Sequence, residues 1–218
     1  MFGCIGRLGC VLALAVLLGI GWFTRGIWLP RVRPAAPESA APAAVVWEPL
    51  TSEGAQRARA QVATLAGRTG PVYANVRPGD LASYIFTAAG RQLPASAQDS
   101  RAAVIGERLY IRTTVAMSDL GGARVLGPLA GMLSARDTVT LGGTFEVLQP
   151  GLAQFRVQDV RFRQLALPTA MIPRVVSQMR RGSVPPSIAP DGLAIEIPTH
   201  VGDVRVGKGR VTLYKATQ

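Results

Sequence analysis

The chain's one histidine, His200, stands in the run IPTHVGD, with Thr199 beside it and Asp203 three positions on. Hydroxyl, imidazole and carboxylate are the parts of a nucleophilic relay. Such a relay needs its nucleophile on a strained turn beside oxyanion donors, and no G-x-S-x-G occurs in the sequence. The local spacing therefore points to a turn histidine whose ring is solvated or bonded nearby. Carboxylates are the next candidates, because close pairs of them hydrolyse glycosides or clamp metal ions. Glu107, Asp119, Asp137, Glu146, Asp159, Asp191, Glu196 and Asp203 are mostly far apart along the chain. Several fall on the polar parity of strands or at glycine-flanked turns, which predicts solvated side chains.

Other chemistries are closed off by composition. One histidine and two cysteines, Cys4 and Cys10 at the extreme N-terminus, leave no ligand set for a zinc cluster, a disulfide framework, a Cys-His dyad or a c-type haem. Gly121-Gly122 and Gly142-Gly143 do not open the strand-GxxxxGK-helix pattern that cradles phosphate, so they read as turn or bulge glycines. No catalytic residue, no metal and no cofactor is expected. Arg156, Arg161 and Arg163 form either a plain solvent face or a stripe turned toward anionic lipid.

The charge supports a surface reading rather than a site. Lys+Arg number 24 against 13 Asp+Glu, a net +11, and only Lys208 and Lys215 are lysines. The arginines are spread without a block. Their field favours anionic surfaces, but no zinc-finger spacing, basic zipper or interleaving of arginines with stacking aromatics is present, so nucleic acid is not expected as a partner.

These residues must be positioned by a core, and 48% apolar against 17% charged residues supplies one. Thr51 or Ser52 caps a helix to about Ala66, with Ala55, Ala58, Val62 and Leu65 on one face. After an extended piece, Val72 to Val76, Asp80 is placed as the N-cap of a second helix that groups Leu81, Tyr84, Ile85 and Ala88. From Ala102 the period becomes two, and Leu109, Ile111, Thr113, Val115 and Met117 share a strand face. The segment 119–137 is glycine-rich and reads as a loop or a broken helix. Next comes a hairpin, with Val139, Leu141, Phe145 and Val147 on one face, a turn at Gln149-Pro150-Gly151, and Phe155 and Val157 returning. Val160 and Phe162 have the opposite parity, which a bulge near Gln158-Asp159 reconciles. A helix over 168–181 then presents Ile172, Val175, Val176 and Met179. Two closing strands carry Leu193, Ile195 and Ile197, then Val204, Val206, Val211 and Leu213, with Gly207 to Gly209 allowing a tight turn or bulge.

The N-terminus sets the location. Residues 8–24, LGCVLALAVLLGIGWFT, carry no charge, and Trp22 and Trp28 stand where an aromatic belt would lie. At 1.5 Å per residue, about 20 apolar residues match a hydrocarbon layer roughly 30 Å thick. A cleaved signal peptide is the alternative, but the run ends in bulky residues without a small-x-small site, which favours an uncleaved single-pass anchor over residues 1–30. Residues 31–49 then read as a Pro/Ala-rich linker and 50–218 as one extracytoplasmic domain, with packing starting near Val45.

The order of these elements resembles the membrane-anchored bacterial envelope proteins of the YpmS and LmeA type. The residues that carry the likeness are "RPGDLASYIF", "AAVIGERLYIRTTVAM" read as one strand, "VQDVRFRQLALP", "TAMIPRVVSQM" and "LAIEIPTHVGDVRVGKGRVTLYK", over roughly 75–218. The resemblance implies a tubular, lipid-binding-like α+β fold whose curved antiparallel sheet wraps a helix. In that arrangement Leu109, Ile111, Phe145, Val147, Phe155, Val157 and Ile195 line the interior, as a packed core or as an acyl-chain groove. The expected function is a membrane-tethered, non-enzymatic envelope protein that binds or handles lipid. The alternative is a membrane-anchored scaffold that contacts another envelope protein and takes no small ligand.

Overall fold

The computed structural model describes residues 45–67, 69–88, 96–120, 131, 134–180 and 185–217. The apolar run 8–24, the linker up to residue 44 and residues 121–130 of the glycine-rich segment lie outside the described residues. Among the described residues, no helix is long and apolar enough to cross a membrane.

The fold is α+β, mostly antiparallel sheet with a few helices. β1 (Glu48–Pro49) lies antiparallel to β3 (Gln98–Ile105), so the chain is already part of the sheet before residue 50. The linker expected to run through Pro49 therefore ends earlier. Trp47 is anchored as well, with the Arg112 guanidinium 4.3 Å above its ring, a cation–π contact. β4 (Arg108–Ala116), β5 (Arg136–Gln149), β6 (Leu152–Phe162) and β7 (Leu165–Ala166) continue this sheet in order, and β8 (Gly192–Glu196) also pairs with β6.

A smaller sheet has the order β2 (Tyr73–Val76), β10 (Arg210–Lys215), β9 (Val201–Gly207). The helices are α1 (Ser52–Ala63), α2 (Pro78–Ala88) and α3 (Ile172–Met179).

Local rules account for most boundaries. Thr51 caps α1 by accepting the Gly54 N–H at 2.9 Å. The alternation over β4 buries Leu109, Ile111, Thr113 and Val115 on one face. On β6 the pairing jumps from Gly142↔Asp159 to Gly143↔Val157, which leaves Gln158 as the extra residue. This bulge turns Phe155, Val157, Val160 and Phe162 all inward, and all four are buried.

Three expectations need correction. AAVIGERLYIRTTVAM is a hairpin rather than one strand: Ile105 pairs with Arg108 across Gly106-Glu107, with Gly106 at φ +62°, and a positive φ at the first central residue is what glycine permits in a two-residue turn. In the closing VRVGKGRVTLYK, by contrast, the tight turn allowed at Gly207 to Gly209 is present, since Lys208 (φ +50°) and Gly209 (φ +74°) are both left-handed and Gly207 pairs with Arg210. Asp80 is not an N-cap. Pro78 occupies the first helical position, which its fixed φ and missing N–H suit, so Asp80 falls in the first turn. Lastly, the helix expected over 168–181 is a 3₁₀ turn, Thr169–Met171, followed by only eight residues of α3.

Candidate functional site

The inner face of the large sheet is covered by α2 and α3, and the cover is not solid. A cavity of about 80 Å³ remains between them. Strand alternation builds its floor: β4 contributes Ile111, Thr113 and Val115, β5 contributes Val139, Leu141 and Phe145, β6 contributes Phe155, and β8 contributes Leu193 and Ile195. Ile85 and Phe86 of α2 and Val175 and Met179 of α3 form the roof. On α3, Ile172, Val175 and Val176 are buried at helical spacing, so the helix turns an apolar stripe toward the sheet.

Among the described residues Thr113 alone brings a hydroxyl to this wall, and that hydroxyl is occupied. It lies 2.9 Å from Ser100 Oγ and donates to the Gln98 carbonyl at 3.1 Å. Every other described wall residue is a hydrocarbon, aromatic or thioether side chain. Among these a water would find no free partner, so the space suits an apolar occupant.

Of the seven interior residues expected from sequence, Ile111, Phe145, Phe155 and Ile195 meet at this cavity. Leu109 and Val157 do not reach it. Both oppose Gly143 across the sheet, where a Cβ would lie 2.9 Å from Phe155 Cζ and 2.1 Å from the Arg156 carbonyl oxygen. A side chain at Gly143 would collide first with the Arg156 backbone and then with the Phe155 ring, and Leu109 and Val157 are fully buried in the core. Val147 packs against the core, half-buried, without lining the cavity. Sequence reading did not assign the roof, Ile85, Phe86, Val175 and Met179, to the lining. The available signal was the helical spacing of these apolar positions.

The polar candidates resolve into structure. His200, expected to be solvated or bonded nearby, instead makes a long-range contact: its Nε2 lies 3.1 Å from the carbonyl oxygen of Val62 in α1. Asp203 does not face it, because its oxygens accept from the Val204 N–H at 2.8 Å and Arg205 Nε at 2.9 Å. No relay is assembled.

The arginine stripe is paired residue by residue, Arg156 with Asp191, Arg161 with Asp159 and Arg163 with Asp137. It is therefore not a free cationic face. Asp137, expected to be solvated, is buried. Burial pushes its pKa up, but the Thr138 and Ser134 N–H groups and the Arg163 guanidinium outweigh that and hold the carboxyl below the usual range. Among the described residues, no group of three or more His, Cys, Asp or Glu side chains could hold a metal ion.

A second polar feature was not legible as such. Asp80, buried at the α1–α2 junction, takes forked hydrogen bonds from Arg57 (3.2 and 2.7 Å) and Arg77 (2.9 and 3.3 Å). Around it, Ser83 accepts the Thr51 N–H and donates to the Gly79 carbonyl, and Glu48 accepts the Gly79 N–H. Burial raises the Asp80 pKa, and the two guanidinium groups lower it by more.

Compared with family models, with curated proteins and with solved structures, the chain has no match.

Proposed function

We propose that this chain is a membrane-tethered, non-enzymatic envelope protein that binds or handles lipid, with the cavity between the large sheet, α2 and α3 as the acyl-chain site. The observation that carries this reading is the wall itself, apolar on the sheet side and on the helix side apart from the already bonded Thr113 hydroxyl, around about 80 Å³ of space. Close-packed interiors leave few voids larger than a water molecule, so apolar space of this size asks for an occupant. The uncharged run 8–24 supports placement at a bilayer, and the resemblance to the YpmS and LmeA type supports an extracytoplasmic domain.

The test is lipid extraction from the full chain purified out of its membrane, followed by mass spectrometry. One lipid species enriched in stoichiometric amount over the bulk membrane is expected. A lipid profile equal to the bulk, with no bound alkyl probe, overturns the reading. For the tether, the full chain should stay in the membrane fraction through a carbonate wash, and a soluble chain beginning near residue 30 overturns it.

The scaffold reading rests on a different observation. Among the described residues β2 pairs only with β10, and it exposes Tyr73 next to the exposed Val72, which offers a strand edge to a protein partner. That reading takes over if the cavity takes no lipid.

A further inference from the structure

On β4, Leu109, Ile111, Thr113 and Val115 point inward, so Arg108, Tyr110 and Arg112 point to the opposite face of the large sheet. Arg101 of β3 is the register partner of Arg112 and shares that outward face. Each of Arg156, Arg161, Arg163 and Arg205 is paired with an aspartate. Arg101, Arg108 and Arg112 are different: among the described residues, none of the three forms an ion pair. Asp159, which lies on the same face in the row of Tyr110 and Gly142, is already held by Arg161. Like charges directly opposite each other across two strands are destabilising, so Arg101 facing Arg112 without a counter-ion leaves room for an anion from outside. Beside these cations the surface is apolar. Ile105 pairs with Arg108, and β1 runs antiparallel to β3, so the residues before it, Val45 and Val46, lie toward the Ile105 end of that strand. These are three of the six large hydrophobic side chains exposed among the described residues, at 45% for Val45, 71% for Val46 and 39% for Ile105.

We infer that this corner of the large sheet docks on an anionic bilayer surface, with Arg101, Arg108 and Arg112 against lipid phosphates and Val45, Val46 and Ile105 entering the headgroup layer. The inference rests on the membrane tether proposed above and is independent of the cavity. Three observations converge on it. The charge has the right sign and is not neutralised within the protein, so its field favours an anionic surface. Exposed apolar side chains stand next to the cations, and the two together are what gives a peripheral surface its hold on anionic lipid. The chain also enters the domain at this corner: Leu29, where the N-terminal apolar stretch ends, and Val45 are 16 positions apart, which spans roughly 50 Å at most when extended. The corner is therefore the part of the domain on the shortest leash. Trp47 adds an aromatic ring of the kind that sits at headgroup level, and the guanidinium of Arg112 lies over it.

The experiment uses the full chain in lipid nanodiscs, made either of phosphatidylcholine alone or of phosphatidylcholine and phosphatidylglycerol in equal parts. Cys4 and Cys10 are changed to serine, and an environment-sensitive fluorophore is attached through Ile105→Cys, where it stands in for the apolar side chain. A second protein carries it through Val72→Cys, an exposed position outside the corner. Dithionite in the buffer bleaches any fluorophore it reaches. On discs with phosphatidylglycerol, the label at 105 should shift to the blue and bleach at least several-fold more slowly than on phosphatidylcholine alone, while the label at 72 bleaches alike on both. Molar salt, which cuts the screening length to about 3 Å, should remove the protection. Arg101→Gln, Arg108→Gln and Arg112→Gln together should remove it as well, and thermal melting checks that this variant folds.

Equal bleaching of the label at 105 on the two kinds of disc, with the protein still embedded, overturns the docking surface while leaving the tether intact, and gives the corner to an acidic protein partner instead. Protection that survives molar salt overturns it too, and neither of these readings depends on the arginine variant. Protection kept by a folded triple variant assigns the contact to other residues, and equal protection at 72 assigns it to no particular face; both overturn the proposal. Recovery of the chain outside the discs overturns the tether and the docking together.

Discussion

At the start of α2, a buried carboxylate takes four hydrogen bonds from two arginines, and space is so short that a Cβ on Gly54 would come within 2.8 Å of Asp80 Oδ1. Little more than a turn further along the same helix, Ile85 and Phe86 border the apolar-walled cavity. One end of the helix is fixed by directional bonds, and the other is left loosely packed. A buried polar cluster that is fully satisfied specifies one geometry, so α2 can hold its position over the sheet without filling the space beneath it. The contrast teaches that the roof of the cavity is held from outside the cavity. The packing that would ordinarily close such a space is not needed for stability there.

The sharpest way to break this contrast is to truncate one phenylalanine in each kind of environment. Phe162 is fully buried in solid core, so Phe162→Ala should cost roughly 3–5 kcal/mol, the usual large-to-small penalty. Phe145 already borders open space, and Phe145→Ala should cost about 1–2 kcal/mol because less packing is lost and the added cavity joins an existing one. Thermal melting followed by circular dichroism measures both. Equal losses would mean that the cavity wall is as tightly packed as the core, and the contrast would fail.

The fixed end is tested through its charge. Asp80→Asn keeps the shape, weakens two forked ion pairs and should cost about 2 kcal/mol, less than a fully buried pair because both arginines are half exposed. The same carboxylate gives the pH dependence its sign. Its pKa in the folded chain lies below the ordinary value of 3.8, as does that of Asp137. Both therefore contribute stability that is fully present above that value and is lost as pH falls through the lowered folded values. Melting temperatures should hold down to about pH 4 and then drop, and Asp80→Asn should flatten part of that drop. A decline beginning near neutrality would point to another group.

What sequence made legible follows the same division. Period-two alternation placed Ile111, Phe145, Phe155 and Ile195 on one face, and the parity break from Val157 to Val160 placed the bulge, because both depend only on neighbours along a strand. It did not distinguish Leu109 and Val157 from these four, since which residues of one strand face border a cavity depends on packing across the sheet and from the helices. Asp80 read as a cap because a carboxylate before an apolar helical run normally is one. Its two arginine partners come from α1 and from the residue just before α2, and no local pattern announces a pair 23 positions apart. The helix roof was likewise out of reach, because periodicity gives an apolar face but not what that face covers.

His200 gives a smaller effect from a long-range contact of the same kind. His200→Ala removes one hydrogen bond to the Val62 carbonyl oxygen and should cost about 1 kcal/mol. His200→Asn, which keeps a donor at shorter reach, should recover part of it. A loss of function without any fall in melting temperature would instead give this histidine a chemical role and would sink the non-enzymatic proposal.

The smallest expected change in stability carries the most information about the cavity. Leu141 of β5 is buried and borders it. In a close-packed core, Leu141→Phe would force neighbours off their rotamers at about 1–3 kcal/mol. Against open space the added ring has somewhere to go, and cavity filling commonly stabilises by about 0.5–2 kcal/mol. The two tendencies place the variant within about 1 kcal/mol of the wild type. If the cavity is where an alkyl chain sits, the same variant should lose most of its binding of an alkyl probe while its melting temperature stays put. Binding that falls only in step with stability would mean that the added ring acts by disturbing the fold. Undiminished binding would mean that the chain sits elsewhere on the protein. Only loss of binding in a fully folded variant assigns the space beneath α2 and α3 to the ligand.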